Sequence, residues 1–436
     1  MSKTYRPYQP EQDLLLPPSL RDWLPENHLA YFGSDLVDQL DLSAIYAVYE
    51  KEERGQPPYD PRMMTKLLVY GYCVGVFSAR KIQREVVEDV AFRVLAAGNA
   101  PDFRTIADFR KIHRKALEGF FEQVLRMALE VGAVQVGRVA LDGSKVKANA
   151  SKHKAMSYGR MQEQEKAIRQ QVRELLGRAA ETDAEEDRRY GRDRRGDELP
   201  EELQRRETRL QRIREAKKAL EARAREEAKA EGKPVDEAKP QAKEQYNFTD
   251  PESRIMKSSS EGFVQAYNAQ IAVEPELQLI VGQAVTQAAN DKEQVEPMVQ
   301  AIETQSGQRP QEMLADNGYC SEKNLEYLEA AQKPQKKIEA YLATGRQKHG
   351  ERVVAPRGPL PKAATRVERR TRKLQTMAGA AIYAARKGIV EPVFGQIKQV
   401  RGFRRFSMRG LAKVKAEWAL VCATHNILKL YRLCYG

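Results

Sequence analysis

Apolar residues recur at intervals of three and four over the first 133 residues, which is the spacing of one buried helix face. The pattern is clearest in PRMMTKLLVYGYCVGV, SARKIQREVVEDVAFRVLAAG and RTIADFRKIHRKALEGFFEQVLRMALEVG. Asp60 followed by Pro61 predicts an N-cap and a first helical position, and Ser78 predicts a second cap. We therefore predict an all-helical domain over residues 1–133.

A strand pattern replaces the helical one in GRVALDGSKVKANAS, residues 137–151. There the short apolar run from Val139 to Leu141 leads directly into Asp142 and Gly143. We predict that residues 134–154 hold the first strand of an α/β core.

Residues 155–245 interrupt this core with a segment made almost entirely of Glu, Lys, Arg, Gln and Ala. Its apolar residues fall on heptad-like stripes, Ile168, Val172 and Leu175 in one stretch and Leu203, Leu210, Ile213 and Leu220 in the next. Glycines and a proline in RRYGRDRRGDELP allow the chain to turn between the two stretches. The pattern predicts a long, charged helical hairpin inserted into the core.

Strand character returns in residues 246–436, which we predict to form the remainder of the core. GFVQAYNAQIAV and LQLIVGQAV are typical of strands, and Asn290 predicts the N-cap of a helix. EMLADNGY predicts a further strand that ends at Asp316.

Asp142 and Asp316 are candidate site residues because ligand sites of α/β sheets lie at the carboxyl ends of strands. Asn317 and Gly318 favour a tight turn, since both residues tolerate positive φ. Asp316 is therefore either only the first residue of that turn or a functional carboxylate.

Composition excludes several classes of site. The four cysteines, at positions 73, 320, 422 and 434, form no C-x-x-C pair, and the five histidines show no ligand spacing. A zinc site and a disulfide framework are therefore not expected. No apolar run approaches the roughly 20 residues needed to cross a bilayer, so we expect a cytoplasmic protein.

The net charge of +13 is concentrated in residues 352–415, where 17 basic residues accompany two acids, a net charge of +15. A basic surface of this kind indicates binding to a phosphate backbone, most simply that of nucleic acid. Arg401, Arg404 and Arg405 alternate there with two phenylalanines, which either stack on an unpaired base or return to the core. The helical domain is then a DNA-binding or a dimerisation module, and the charged hairpin contacts DNA or is a solvated arm.

Glu391 is one of the two acids in this basic segment. Gly388 predicts the end of one helix and Pro392 the first position of the next, which places Glu391 at a helix start. There it is either a capping residue or a ligand for a cation that binds together with phosphate. Asp142, Asp316 and Glu391 are therefore our candidates for the hard oxygen ligands that hold two Mg²⁺ ions, or Mn²⁺ as a substitute, for phosphoryl transfer.

Four segments resemble the RNase H-like DDE transposases of bacterial insertion sequences: LDGSKVKANAS, GFVQAYNAQIAV, ADNGYCSEKN and IYAARKGIVEPVFGQIKQVRGFRRF. The last is similar to that family's Tyr-Arg-Glu-Lys signature, with Tyr383, Arg386, Glu391 and Lys398 in its four positions. Two residues separate the tyrosine from the arginine and six separate the glutamate from the lysine, as in the pattern. Four residues rather than three separate the arginine from the glutamate.

The resemblance implies a mixed five-stranded sheet flanked by helices, with three acids that bind two divalent ions. It also implies cleavage of the inverted-repeat ends of a mobile element by water, followed by attack of the 3′-hydroxyl on target double-stranded DNA. We expect a nucleoid-associated homodimer on DNA, contacted through Tyr383, Arg386, Lys398, Arg401, Arg404 and Arg405. Two alternatives remain, an RNase H-fold nuclease that cuts without joining and a catalytically inactive DNA-binding relative.

Overall fold

The computed structural model describes residues 19–50, 57–151, 154–190, 201–230, 232–258, 261–329, 337–345, 358–361 and 363–436. In this part of the chain the N-terminal region is helical, as predicted. Its helices are α1 (Leu29–Asp38), α2 (Ser43–Tyr49), α3 (Pro61–Cys73), α4 (Ala79–Glu88), α5 (Val90–Ala96), α6 (Phe103–Ile112) and α7 (Arg114–Glu130). The Asp60 carboxylate accepts the N–H groups of Arg62 and Met63, at 2.6 and 3.3 Å, and so caps α3.

The strands form a mixed sheet and a separate two-stranded ribbon. They are β1 (Arg138–Lys147), β2 (Ala155–Ser157), β3 (Gln245–Asn247), β4 (Arg254–Ser258), β5 (Gly262–Val273), β6 (Ile280–Thr286), β7 (Glu312–Ala315) and β8 (Glu339–Leu342). β1 pairs antiparallel with β5 and parallel with β7, which pairs parallel with β8. β4 and β6 share the other edge of β5. The five strands in the order β6-β5-β1-β7-β8 form the predicted RNase H-like mixed sheet. β4 is a sixth strand, which pairs with the first residues of β5 on the same edge as β6.

The charged hairpin that the sequence predicts stands on the β2–β3 ribbon. It consists of α8 (Tyr158–Tyr190) and α9 (Glu201–Ala230), and its buried residues include Ile168, Leu210, Ile213 and Leu220. Leu203 belongs to a part of α9 whose side chains lie outside the described residues. The predicted stripes therefore pack the two helices against each other.

Helices cover both faces of the sheet, which explains why β5 is buried almost throughout. They are α10 (Val295–Ser306), α11 (Glu322–Glu329), α12 (Arg366–Leu374), α13 (Met377–Gly395) and α14 (Leu411–Tyr435). α10 and α14 pack on β6, whereas α12 and α13 pack on β8. None of the helices described is long and apolar enough to cross a membrane.

A buried network joins the helical domain to the core through Glu417 of α14. Its carboxylate accepts the hydroxyl of Tyr72 at 3.1 Å and the N–H groups of Ser407 and Met408 at 2.9 and 3.1 Å. Arg110 of α6 donates to the hydroxyls of Tyr72 and Ser407, at 3.1 and 3.2 Å. Because hydrogen bonds are stronger in such a buried environment than in water, the network fixes the helical domain against the core.

Gly388 and Pro392 do not separate two helices, contrary to the prediction, because α13 runs through both. Proline has no N–H, so the carbonyl of Gly388, four residues earlier, loses its usual donor. The side chain of Gln278 replaces it, donating from Nε2 to that carbonyl at 2.9 Å. Glu391 therefore lies inside a helix rather than at its start.

Two element ends also differ from the prediction. α10 begins at Val295 and not directly after Asn290, which leaves Asp291 in the preceding loop. β1 continues past Asp142 to Lys147, because β5 pairs with it over that whole length. Asp142 therefore lies within its strand, at the level where the neighbouring strand β7 ends.

Candidate functional site

Asp142 and Asp316 lie side by side on neighbouring strands. The parallel register pairs Ala140 of β1 with Leu314 of β7, so the two aspartates stand opposite each other two residues further along. The Oδ1 atom of Asp142 accepts the N–H of Gly143 at 2.8 Å. Both aspartates are partly exposed, so a ligand can reach their carboxylates.

Asp316 also makes the turn that ADNGY predicts. Its Oδ1 atom accepts the N–H of Gly318 at 2.8 Å and caps a 3₁₀ turn over Asn317–Tyr319. This turn ends β7 sharply and holds the carboxylate beside Asp142. Turn formation and a place in the site are therefore compatible.

The environment of Asp142 favours a cation. Burial raises the pKa of Asp142 to about 6, and the charges of Asp316 and Asp291 raise it as well. Arg386 of α13 acts in the opposite direction, with its Nη1 atom 3.5 Å from Oδ2 of Asp142. Carboxylates that repel one another across one site are stabilised by a positive charge between them.

Asp291 is an acidic residue of this site that the sequence pattern did not predict. Its Oδ1 atom accepts hydrogen bonds from the side chains of Asn268 at 2.6 Å, Gln270 at 2.7 Å and Lys145 at 3.3 Å. The sequence signal is weak, since β6 ends five residues before Asp291, whereas Asp316 follows β7 directly. The expected N-cap at Asn290 assigned it to a helix instead.

Gly143 leaves room for Asp291, whereas Gly318 leaves room for Asp316. A Cβ atom at Gly143 would stand 2.7 Å from Oδ1 of Asp291 and would overlap the amide of Gln270. A Cβ atom at Gly318 would stand 3.0 Å from Oδ1 of Asp316 and 3.7 Å from Oδ2 of Asp291. Position 143 therefore requires glycine, because the side chains of Gln270 and Asp291 approach its backbone too closely for a Cβ atom.

Tyr319 is the buried residue beneath the acids. Its hydroxyl donates to Oε1 of Gln270. Burial raises the pKa of Tyr319, and the charges of Asp291, Asp142 and Asp316 raise it further. The three carboxylates therefore lie close enough to Tyr319 for their charges to act on its buried hydroxyl.

Glu391 is exposed on α13, the helix that carries Arg386. Glu391 is five positions after Arg386, which is about 140° around the helix, so it points away from the guanidinium that contacts Asp142. Burial raises the pKa of Tyr383 and lowers that of Lys398, and the charge of Asp142 raises the pKa of both. Tyr383, Arg386 and Lys398 therefore lie near Asp142, whereas no contact within the described residues joins Glu391 to it.

Lys398 lies in a π-helical turn, Gln396–Val400, that follows α13. Its Nζ atom donates to Oγ of Ser144 at 2.6 Å and to the carbonyl of Lys145 at 3.0 Å. Widened turns of this kind occur frequently at functional sites. The Lys398 ammonium thus lies beside the strand that carries Asp142.

Arg401 is buried, contrary to the predicted DNA contact. Its guanidinium donates to Oγ1 of Thr424 at 2.8 Å and to the carbonyls of Val421 and Tyr72 at 3.0 and 3.3 Å. These donors hold α14 and α3 together. Arg401 therefore has a structural role and is not accessible to a phosphate backbone.

Arg404 and Arg405 are exposed, as a phosphate-binding role requires. Phe403 and Phe406 between them are each 1% exposed and pack edge to face, with ring centroids 5.4 Å apart. The two phenylalanines therefore return to the core, which is one of the two roles that the sequence left open for them. Base stacking on these two rings is therefore excluded.

We expect Arg401→Ala to lower the free energy of unfolding by about 2–4 kcal/mol, because buried carbonyls lose a charged donor and a cavity forms. Denaturant titrations followed by circular dichroism measure this change. Arg404→Ala is the matched control, and its exposed side chain predicts a change within about 0.5 kcal/mol. Equal stability of the two variants would contradict the structural role of Arg401.

The donor chemistry of the site fits a divalent cation. Asp142 and Asp316 provide the hard oxygen atoms that Mg²⁺ prefers, on two adjacent strands. Within the described ranges, no three acidic, histidine or cysteine side chains stand close enough together to hold an ion. The fit is thus that of two strand-borne ligands, with Glu391 on the facing helix.

Two protein-family models match the chain. A transposase domain (DUF772) matches residues 18–112, and a transposase DDE domain matches residues 234–427. The second match contains Asp291, Asp316 and Glu391, whereas Asp142 and most of the charged hairpin lie between the two matches. Comparisons with curated proteins and with solved structures gave no match.

Proposed function

This chain belongs to the DDE transposases of the insertion-sequence type, and we propose that it cleaves the inverted-repeat ends of its element and joins their 3′-hydroxyl groups to target DNA. The reaction is Mg²⁺-dependent hydrolysis followed by strand transfer, carried out by a homodimer on nucleoid DNA. The observation that supports this proposal most directly is the pair Asp142 and Asp316 at one point of an RNase H-like sheet.

We assign the metal-binding role to Asp142 and Asp316, with Glu391 as the third acid. A bound Mg²⁺ or Mn²⁺ lowers the pKa of an attacking water and offsets the negative charge that develops on the phosphate. Arg386 offsets the charge of Asp142 from its buried position on α13. Asp291 holds Lys145 and two amide side chains beside the metal-binding pair.

The phosphate-binding role belongs to Lys398, Arg404 and Arg405. Lys398 ends beside β1, and the hydroxyl of Ser144 that it contacts is two residues from Asp142. Arg404 and Arg405 continue from it as an exposed pair, anchored by the buried Phe403 and Phe406. A DNA backbone that follows this line runs along β1 from a point two residues from Asp142.

We expect the affinity for element-end DNA to fall steeply with salt, and each of Arg404→Ala and Arg405→Ala to lower the slope of log K against log[salt] by about one. Fluorescence anisotropy titrations between about 50 and 200 mM salt measure the slope. Val400→Ala, an exposed neutral change in the same segment, is the control and leaves the slope unchanged. If the slope of log K against log[salt] were unchanged in both arginine variants, this segment would not be part of the DNA-binding surface.

Strand transfer distinguishes a transposase from a nuclease with the same fold. Sequencing the DNA that flanks the gene supplies the terminal repeats, and pre-cut ends with free 3′-hydroxyls are then incubated with a supercoiled plasmid. We expect joined products in Mg²⁺. Cleavage of uncut ends without joining of pre-cut ends would identify the protein as a nuclease, and absence of both reactions would identify an inactive relative.

A further inference from the structure

A cationic cavity of about 1180 Å³ opens between the base of the charged hairpin and the β4–β5 edge of the sheet. Its walls come from the end of α9 and the loop that follows, from β4 and β5, and from residues 287–289. Basic side chains outnumber glutamates in this lining by five to three, and they are Arg223, Lys233, Lys239, Lys243 and Arg254. The volume exceeds the roughly 300–1,000 Å³ of small-molecule pockets.

Two arginines converge within the cavity. Arg223 and Arg254 both donate to the carbonyl of Pro251, at 3.4 and 3.2 Å. Arg223 lies 3.6 Å from Glu244, whereas no ion pair in the described part of the chain includes Arg254. Burial, and then the charge of Arg223, lower the pKa of Arg254 to about 10. The charges of Glu244 and Glu227 act on both guanidinium groups, but of the two only Arg223 forms an ion pair among the residues described. A phosphate stabilises two adjacent guanidinium groups of this kind.

The same cavity presents an exposed aromatic ring. Phe263 of β5 is 63% exposed and Ile255 of β4 is 42% exposed, and both line the wall. Cationic groups beside an accessible ring are the combination by which proteins bind single strands, since phosphates pair with the charges and bases stack on the ring. In a duplex the bases are already stacked on each other, so the Phe263 ring favours an unpaired nucleotide.

One segment separates the cavity from the carboxylate site. Residues 287–289 line the cavity, and the carbonyl of Ala288 accepts Nδ2 of Asn268 at 3.1 Å. The same Nδ2 atom donates to Asp291 at 2.6 Å. Only this segment and the Asn268 side chain therefore separate a DNA strand in the cavity from the carboxylate site.

We propose that this cavity binds an unpaired stretch of DNA strand that leads to the carboxylate site, with phosphates on Arg223 and Arg254 and a base on Phe263. The identification of the ligand as DNA rests on the proposed function. The hairpin then has a defined role, because its base supplies one wall of a channel for a strand that has left the duplex.

Binding of a fluorescein-labelled dT12 strand and of a 12-base-pair duplex, measured by anisotropy without divalent ions, tests the proposal. We expect Phe263→Ala to weaken single-strand binding between about 5-fold and about 100-fold and to leave duplex binding unchanged. Phe263→Trp keeps an aromatic face and retains the single-strand affinity within about threefold. Tyr435→Ala, which removes an aromatic ring that is 53% exposed at the other end of the chain, is the control and changes neither affinity.

A second variant and a cross-link test the same site without relying on Phe263→Ala. Lys243→Gln, an exposed change at the lining, lowers the salt slope of dT12 binding by about 0.7, the value for one phosphate of a single strand. A dT12 strand that carries 5-iododeoxyuridine cross-links under ultraviolet light to the peptide that contains Phe263, as mass spectrometry detects.

Three results would overturn the strand-binding cavity: unchanged dT12 affinity of Phe263→Ala, an equal loss for strand and duplex, or cross-links that lie only elsewhere. These measurements need neither a metal ion nor cleavage. A failure here therefore concerns the cavity alone, whereas a failure of end joining concerns the proposed function alone.

Discussion

Asp142→Asn and Asp316→Asn are each expected to reduce Mg²⁺-dependent cleavage of element ends by at least about 1000-fold, because several kcal/mol of transition-state stabilisation depend on the metal ligands. Asparagine keeps the Oδ1 acceptor that Gly143 or Gly318 uses, at 2.8 Å in both cases. The strand end and the turn therefore persist while the negative charge is lost. Both variants should fold and bind end DNA as the wild type does.

Single-turnover cleavage of a labelled end duplex measures the loss, and anisotropy without divalent ions measures DNA binding. Glu293→Gln is the matched control, since it removes an exposed carboxylate two residues from Asp291 without touching the site. We expect its cleavage rate within about twofold of the wild type. Normal cleavage by either aspartate variant would remove that residue from the metal-binding pair.

The sheet and the hairpin could be predicted from local patterns because their hydrophobic periodicity is set within each element. GFVQAYNAQIAV coincides with β5, and EMLA coincides with β7. Asp316 could be predicted for the same reason, since the turn that positions it is made by the next two residues. Each of these features depends on neighbours within a few positions of the sequence.

The features that sequence patterns missed depend on contacts between distant residues. Gly388 and Pro392 carry the local signals of a helix break, but Gln278 supplies the donor that lets α13 continue. Arg401 contributes to the basic charge count, yet Thr424 and Tyr72 bury it. Charge counts along a segment do not report which side chain faces inward, and capping signals do not report a donor brought from another element.

Asp291 shows the same limit within the site itself. Its position depends on Asn268 and Gln270 of β5, on Lys145 of β1 and on the space left by Gly143. None of these is near it in the sequence. A carboxylate held by three side chains from two distant strands is a product of the tertiary fold.

Glu391→Gln is expected to reduce cleavage about as strongly as Asp142→Asn, whereas Asp291→Asn reduces it by no more than about 10-fold. The Oδ1 atom of Asp291 already accepts three hydrogen bonds, which asparagine can also accept. Asp291 therefore acts as a positioning residue. Glu391 is exposed on α13, and no hydrogen bond or ion pair in the described part of the chain engages its carboxylate.

Calorimetric titration with Mn²⁺ in the presence of uncleavable end DNA separates the two acids without relying on activity. Glu391→Gln should weaken Mn²⁺ binding more than 10-fold. Asp291→Asn should leave it within about threefold, because Asp291 hydrogen-bonds to Lys145, Asn268 and Gln270 and not to the two metal-binding aspartates that such a partner would orient. Glu368→Gln is the control from the same basic segment, since glutamine preserves its capping box with Thr365. Loss of both Mn²⁺ binding and cleavage in Asp291→Asn, with both retained in Glu391→Gln, would contradict this assignment. The third metal ligand would then come from the loop after β6, and the α13 segment would contribute only Arg386 and Lys398 of the turn that follows the helix.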